Sequence, residues 1–350
     1  MIEILTSGVA LGVHVPGLLL RDRLREQGAS ARVTVLERLM PAHTLATTAR
    51  SKQAFHRDFR VALAGQKLAR DASIATDAQA VDDLLRDWRA REVSRFVVFS
   101  GFWLPIIERY VERYAAGADG VPVDVCHVDS VQSPSFDKAG PTTLAVEHVW
   151  LADAANERIP CSIPVSREEP LAWTDRDHRL LVHGGGWGMG TYRERAPELL
   201  THGFELDVVA YENRDLAELD GVRFFMIDPE WHPWLDDGYP PFGPVVPDEV
   251  PVFAQREGHH GSFDLARRAL ATVSKPGGGT LLDSLWSATP AVLLEPFGPH
   301  EQRNAELWQH LGFGIAFDDW AAKDFATDVL EDLHTALLAA SPADYSRALL

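Results

Sequence analysis

Residues 274–285 read Ser274-Lys275-Pro276-Gly277-Gly278-Gly279-Thr280-Leu281-Leu282-Asp283-Ser284-Leu285. The chain continues through Ala288-Thr289-Pro290-Ala291-Val292-Leu293-Leu294-Glu295-Pro296-Phe297 to His300-Glu301-Gln302-Arg303-Asn304-Ala305. Glycines that open a helix bring bare backbone N–H groups up to a bound phosphate, and the positive end of the helix dipole favours that anion. The dipole alone is worth about 0.3–1 kcal/mol near a surface. A carboxylate one turn further on, Asp283, can accept hydrogen bonds from a ribose diol while a pyrophosphate rests on the loop. The same glycines also suit a tight turn capped by Thr280, and these residues alone leave both readings open.

Working outward, the apolar spacing predicts helix and strand over Leu265 to Val273, a helix over Leu281 to Ser287, a strand over Ala291 to Glu295 and a helix over Arg303 to His310. Upstream, Arg179 to His183 reads as a strand followed by Gly184-Gly185-Gly186-Trp187-Gly188-Met189-Gly190, a helix, and a strand over Glu205 to Ala210. A plain turn seldom needs five glycines in seven positions, so this loop also reads as a ligand loop, with Gly186 and Gly188 foremost. Residues 228–262 are rich in Pro, Trp and His with little period, as in many functional loops. The first half repeats the grammar: strand Ile2 to Ser7, a Gly-containing loop, and a helix over Val15 to Gln27. That helix is expected to turn Leu18, Leu19 and Leu24 inward and Arg21, Arg23, Arg25 and Glu26 outward, and to stop at Gly28 before strand Arg32 to Leu36. Residues 47–92 look helical, Arg95 to Ser100 is a strand ending on Gly101, and helix Leu104 to Ala115 leads to strand Val121 to Val128. The expected fold class is α/β, with two Rossmann-like domains facing across a cleft. An N-terminal acceptor-side domain is expected over residues 1–165, a linker near 166–177, and a nucleotide-sugar-binding domain over 178–350 whose last helix packs back on the first.

Composition agrees with this. The 350 residues are 46% hydrophobic and 24% charged, enough for two cores. A formal charge of −18 excludes broad nucleic-acid binding but allows a local pocket for one nucleotide. Cys126 and Cys161 stand far apart, outside any metal-ligand spacing, and are expected as small buried hydrophobes. The N-terminus reads without a signal peptide and no segment is apolar enough to cross a bilayer, so a soluble cytoplasmic protein is expected.

Gly277-Gly278-Gly279-Thr280-x-x-Asp283, the small residue before Pro290, the strand ending in Pro296, and His300-Glu301-Gln302-Arg303-Asn304-Ala305 resemble the nucleotide-sugar signature of GT-B glycosyltransferases. The likeness is to the undecaprenyl-pyrophosphoryl-muramoyl-pentapeptide N-acetylglucosaminyltransferase, the plastid galactolipid synthases and the antibiotic glycosyltransferases. Gly12-Val13-His14-Val15-Pro16-Gly17-Leu18 resembles the same family's first loop. The resemblance implies a donor-diphosphate site at Gly186, Gly188, Gly278, Gly279 and Thr280, ribose binding at Asp283, and sugar contacts from His300, Glu301 and Gln302. Counted back from Asn304, the family's polar pair falls on His300 and Glu301, with Gln302 at a variable position. His14 falls where inverting members keep a general base, work that suits an imidazole with a pKa near neutrality.

The implied activity is transfer of a hexosyl group from a UDP- or dTDP-sugar to a hydroxyl of a small or lipid-linked acceptor. It would be inverting, and neither metal nor cofactor is expected: His232, Asp236, Asp237, His259 and His260 match no metal-site spacing. Asp129-Ser130 and Ser100-Gly101 stand where acceptor-side groups could project, or are helix caps. Phe224-Phe225-Met226-Ile227 reads as core or as a strand end that cradles a base. A nucleotide-sugar epimerase and a nucleotide-binding scaffold without turnover stay open.

Overall fold

In a computed structural model, which describes residues 1–68, 71–114 and 120–350, the chain builds two parallel-sheet units. The first contains β1 (Ile2–Thr6), α1 (Leu11–Glu26), β2 (Ala31–Val35), α2 (Ala42–Arg57), α3 (Phe59–Leu68), α4 (Ala78–Ala90), β3 (Arg95–Val98), α5 (Leu104–Tyr114), β4 (Val123–His127), α6 (Pro134–Ala139) and β5 (Val146–Trp150). Its sheet runs β2-β1-β3-β4-β5, all parallel, with Ile2 opposite both Ala31 and Arg95. Every residue of β1 and β4 is buried, as expected of parallel strands covered on both faces. One face packs on α1 through Leu18, Leu19 and Leu24, the other on α4 and α5 through Trp88, Ile107 and Tyr110.

A short strand β6 (Cys161–Ser162) leads to the second unit: β7 (Arg179–His183), α7 (Tyr192–Thr201), β8 (Glu205–Ala210), β9 (Val222–Ile227), β10 (Phe242–Val245), α8 (Ser262–Arg268), β11 (Ala271–Ser274), α9 (Gly278–Ser287), β12 (Ala291–Leu293), α10 (Pro299–His310), β13 (Gly314–Ala316), α11 (Phe317–Ala321) and α12 (Thr327–Leu338). The sheet order is β10-β9-β8-β7-β11-β12-β13, with only β10 antiparallel. Two elements then return to the first unit. Strand β14 (Ala343–Asp344) pairs with β6, and α13 (Tyr345–Ala348) sends the Tyr345 hydroxyl to Asp124 at 3.1 Å.

In each sheet the chain leaves its first strand in one direction and later resumes on the other side, between β1 and β3 and between β7 and β11. These switch points open crevices at the carboxyl ends of the strands. Both glycine-rich loops of the second unit follow the strands flanking its switch point, 184–190 after β7 and 275–277 after β11.

Three expectations are corrected. Helix α1 begins at Leu11, not Val15, so His14 lies inside the first turn and Pro16 inside the helix. The proline suggested a later start because it removes a backbone donor, yet the missing bond frees only the Gly12 carbonyl near the helix end. Arg21 and Arg23 are buried rather than solvated. Arg21 donates to the Asp237 carbonyl at 2.6 Å, and Arg23 to the carbonyls of Pro164 at 3.1 Å and Gly258 at 2.6 Å. An isolated helical wheel cannot show that a distant segment covers its polar face. That segment is residues 228–262, which also contain a strand, β10. Phe224 and Met226 belong to the second core.

Asn304 on α10 fastens the units. Its Oδ1 accepts the Ser130 N–H at 2.7 Å, and its Nδ2 donates to Asp129 at 2.8 Å and the Pro276 carbonyl at 2.9 Å. Removing one partner of buried groups costs about 1–3 kcal/mol per group left unpaired. Asn304→Ala should therefore lower the unfolding free energy in a urea titration by at least about 1 kcal/mol. A change within about 0.5 kcal/mol would show the fastening to be energetically idle.

Candidate functional site

The second unit forms a cradle around one half-buried ammonium. Lys275, just past β11, makes an ion pair with Glu301 of α10, whose other oxygen accepts the Phe297 N–H at 2.7 Å. A Cβ on Gly277 would lie 3.1 Å from the Lys275 amine, and one on Gly185 3.9 Å from it. The two glycine loops thus converge on the same cation. Helix α9 then opens at Gly278 with no side-chain cap, leaving the N–H groups of Gly278, Gly279 and Thr280 free of intrahelical partners. Beside them, His183 accepts the Gly185 N–H on Nδ1 at 3.0 Å, which places its proton on Nε2. Burial pushes the His183 pKa down to about 4, with Lys275 and His260 adding and Asp283 opposing. An ammonium, a neutral imidazole N–H and a free helix end together suit a diphosphate.

The first unit closes on this cradle through the same glycines. A Cβ on Gly279 would stand 3.2 Å from the Gly12 Cα, and one on Gly278 2.9 Å from Val128 and 3.0 Å from Asp129. Gly186 faces Leu11, where a Cβ would come within 2.6 Å. Gly188 has φ +57°, and its Cβ would meet the His56 ring at 2.6 Å. His56 of α2 bonds the Gly188 carbonyl at 2.7 Å and Asp215 at 2.9 Å, and the Trp187 indole N–H donates to the Val9 carbonyl. Lys52, also on α2, lies 5.3 Å from the Trp187 ring centre and 5.6 Å from that of Trp234, its pKa pushed down to about 8 by burial against the pull of Glu37.

His14 stands two residues from Gly12, where the units touch. It is 1% exposed, its Nδ1 lies 3.0 Å from the Thr6 hydroxyl, and its buried Nε2 has no partner among the described residues. Burial, then Arg21 and Arg38, push its pKa down to about 3. The imidazole is neutral at pH 7, but a pKa this far below neutrality makes it a weaker proton acceptor than the near-neutral base expected from the sequence, because Arg21 and Arg38 add to the effect of burial. The loop ahead of it is clamped by Glu37, which accepts from the Ser7 hydroxyl at 2.7 Å and the N–H groups of Gly8 at 2.6 Å and Val9 at 3.2 Å. Trp231 of the 228–262 segment covers the His14 ring at 6.4 Å between centres.

The remaining candidates separate. Asp283, on α9, is engaged by buried His260 at 3.0 Å. Thr280 is half-buried in the first turn of α9. His300 is half-buried with Nδ1 unpartnered among the described residues, whereas Gln302 is exposed and donates to Glu306 at 3.1 Å. Ser100 and Ser130, past β3 and β4, keep buried hydroxyls with no partner among the described residues. The histidines and aspartates weighed as metal ligands part company: His259 pairs with Asp264, His260 with Asp283, and His232 stacks on Trp234. Among the described residues, His56, Glu212 and Asp215 gather closely enough for a metal. Both His56 nitrogens already have partners, and Arg193 occupies the Asp215 carboxylate at 3.0 Å. That triad is an ion-pair cluster, not a vacant coordination shell.

Lys275, His183, His56 and Asn304 are given no role by the sequence. Lys275 carries a signal as a lone lysine directly before Pro-Gly-Gly-Gly, and Asn304 as the anchor of the His300-to-Ala305 motif.

No protein-family model matches the chain, and no curated protein matches its sequence. Solved structures do match. The glycosyltransferase SsfS6 of Streptomyces sp. SF2575, complexed with thymidine diphosphate, superposes with a TM-score of 0.57 at 13% identity over 100% of this chain and 99% of that one. The spinosyn rhamnosyltransferase SpnG gives 0.56 at 15% identity, covering 100% and 98%, and MurG of Acinetobacter baumannii gives 0.54 at 13%, covering 99% and 97%. The chain has the GT-B fold. No helix among the described residues is long and apolar enough to cross a membrane.

The buried imidazoles make stability depend on pH. His14 and His127 are held near pKa 3 and His183 near 4, for His127 by burial and then His148. Below the ordinary value of 6.5 the unfolded chain binds protons that these folded sites refuse, so stability falls as pH drops from about 6.5 toward 4. At His260, burial pulls down but Asp283 and Asp264 prevail and raise the pKa, so its contribution has the opposite sign and offsets part of the loss. Calorimetry should show a lower Tm at pH 5 than at pH 7, with a shallower slope in His127→Gln. A Tm that rises on acidification would contradict these assignments.

Proposed function

We propose that the chain is a glycosyltransferase that moves a hexosyl group from a UDP- or dTDP-sugar to an acceptor hydroxyl, with inversion and without a metal. The observation that carries this reading is the contact of Gly12 with Gly279, which seats the start of α1, the helix that carries buried His14, against the free N-terminus of α9. The diphosphate would bind the N–H groups of Gly278, Gly279 and Thr280, Lys275 and the 184–190 loop, with the ribose toward Asp283 and the sugar toward His300 and Glu301. With its Nδ1 proton donated to the Thr6 hydroxyl, His14 would present Nε2 to the acceptor O–H. As that oxygen attacks the anomeric carbon, the bond to the diphosphate breaks, the proton passes to Nε2, and the departing charge meets Lys275 and the helix end. The 228–262 segment over His14 would have to yield to admit an acceptor.

His14→Ala should reduce kcat by about 10²- to 10⁴-fold with little change in donor affinity. Lys275→Met should weaken binding of UDP or dTDP, seen as a smaller ligand-induced rise in Tm. Unchanged turnover in the first variant removes His14 from the mechanism.

A second reading, a nucleotide-binding scaffold without turnover, is favoured by the engagement of Glu301 with Lys275 and Asp283 with His260. Binding of UDP or dTDP without transfer or hydrolysis of any nucleotide sugar would decide for it.

A further inference from the structure

Lys52 of α2 is a buried ammonium without an anion. It is 9% exposed, and among the described residues it makes no hydrogen bond or ion pair: its Nζ lies over two indole faces, those of Trp187 and Trp234. Aromatic faces offset only part of the cost of taking an ammonium out of water. Burial pushes its pKa down to about 8 against the pull of Glu37, which leaves it charged at pH 7. Glu37 is itself occupied by Ser7, Gly8 and Val9. The ammonium belongs to the crevice of His14. Trp187 is tied to the Val9 carbonyl on the loop that leads to His14, and Trp234 stands three residues past Trp231, whose ring covers His14. The same covering segment brings a carboxylate of its own: Asp237 pairs with Arg38 at 2.6 Å while its carbonyl accepts from Arg21 at 2.6 Å. After burial, Arg21 and Arg38 lower the basicity of His14, Asp237 raises it, and Lys52 lowers it. Three cations thus act on His14, and the carboxylate that opposes them departs with the cover when that segment yields.

We infer that this crevice takes an acceptor that bears a carboxylate, bound by Lys52 and standing where Asp237 now acts on His14. The inference rests on the proposed function for the crevice as the acceptor side, and it names a chemical class for that acceptor. A neutral acceptor would leave Arg21, Arg38 and Lys52 unopposed beside His14. A carboxylate opposes them and raises the basicity of Nε2 at the moment it takes the hydroxyl proton. One compact ammonium between two indoles suits a single negative charge, the charge that the cover itself presents. Lys52 sets specificity: it holds the acceptor's anion and moves no proton.

The test is calorimetric titration of the full chain, saturated with UDP, with two pairs of probes whose members differ by one charge. These are 4-hydroxybenzoate against 4-hydroxybenzamide, and 3-hydroxypropionate against 3-hydroxypropionamide. In at least one pair the wild type should bind the acid about 10-fold or more tightly than the amide, as a charge-assisted hydrogen bond at a buried ammonium provides. Lys52→Met, which fills the slot between the indoles without a charge, should bind acid and amide alike. Lys52→Arg should retain a preference for the acid, and a matching Tm for the two variants excludes a folding defect. Equal affinity for acid and amide in the wild type, a preference that survives in Lys52→Met, or binding of neither pair overturns the inference. A fall in UDP affinity in Lys52→Met assigns the ammonium to the donor diphosphate and overturns it too. If UDP does not bind the wild type, the functional reading falls, and the same titrations on the free chain still decide the carboxylate site.

Discussion

The bare-backbone contact between the start of α1 and the start of α9 is the constraint on which the rest of the structure depends. Gly12 and Gly279 come close enough that a side chain on Gly279 would press on the opposite main chain at 3.2 Å. Because these two helix starts meet, Asn304 can reach both Asp129 and Pro276, and Trp187 can reach the Val9 carbonyl. A side chain at Gly279 would press on the start of α1, whereas a Cβ at Gly12 would meet the Gly279 nitrogen only at 3.8 Å.

The glycines of the cleft divide by what they face. Gly185 and Gly277 border the Lys275 ammonium, where a side chain would crowd any anion, while Gly186, Gly188 and Gly278 face Leu11, His56 and Val128 of the opposite unit. Domain approach and anion access therefore use neighbouring positions of the same loops.

The acidic excess of the chain lies mostly outside this arrangement. Inside, several buried charges have a partner or a ring of carbonyls. Glu37 takes three donors from the first loop, and Arg176 donates to the carbonyls of Ala269 at 2.8 Å and Ser287 at 2.6 Å. Glu301 holds Lys275, and Arg179 holds Asp207 at 2.8 Å. Burial of such groups is favoured when their polar atoms are satisfied, and among the described residues the His14 Nε2 is one of several buried polar atoms without a partner, with Ser100 and Ser130 of the same unit.

Much of the fold was legible in the sequence by itself. Hydrophobic runs of period two and stripes near period 3.6 located β7 and β8 to the residue and most helices to within a turn, because these signals depend only on neighbours along the chain. Glycine clusters after β7 and β11, and a histidine just past β1, marked the cleft for the same reason. What only the tertiary structure decided was which groups meet. Arg21 and Arg23 look solvated until residues 237 and 258 cover them, and Asp283 looks free until His260 reaches it. Lys275 has no role until Gly185, ninety residues earlier, turns beside it. Each of these depends on packing between segments far apart in sequence, where direction and distance are set by the joint geometry of two sheets and leave no periodic trace in the chain.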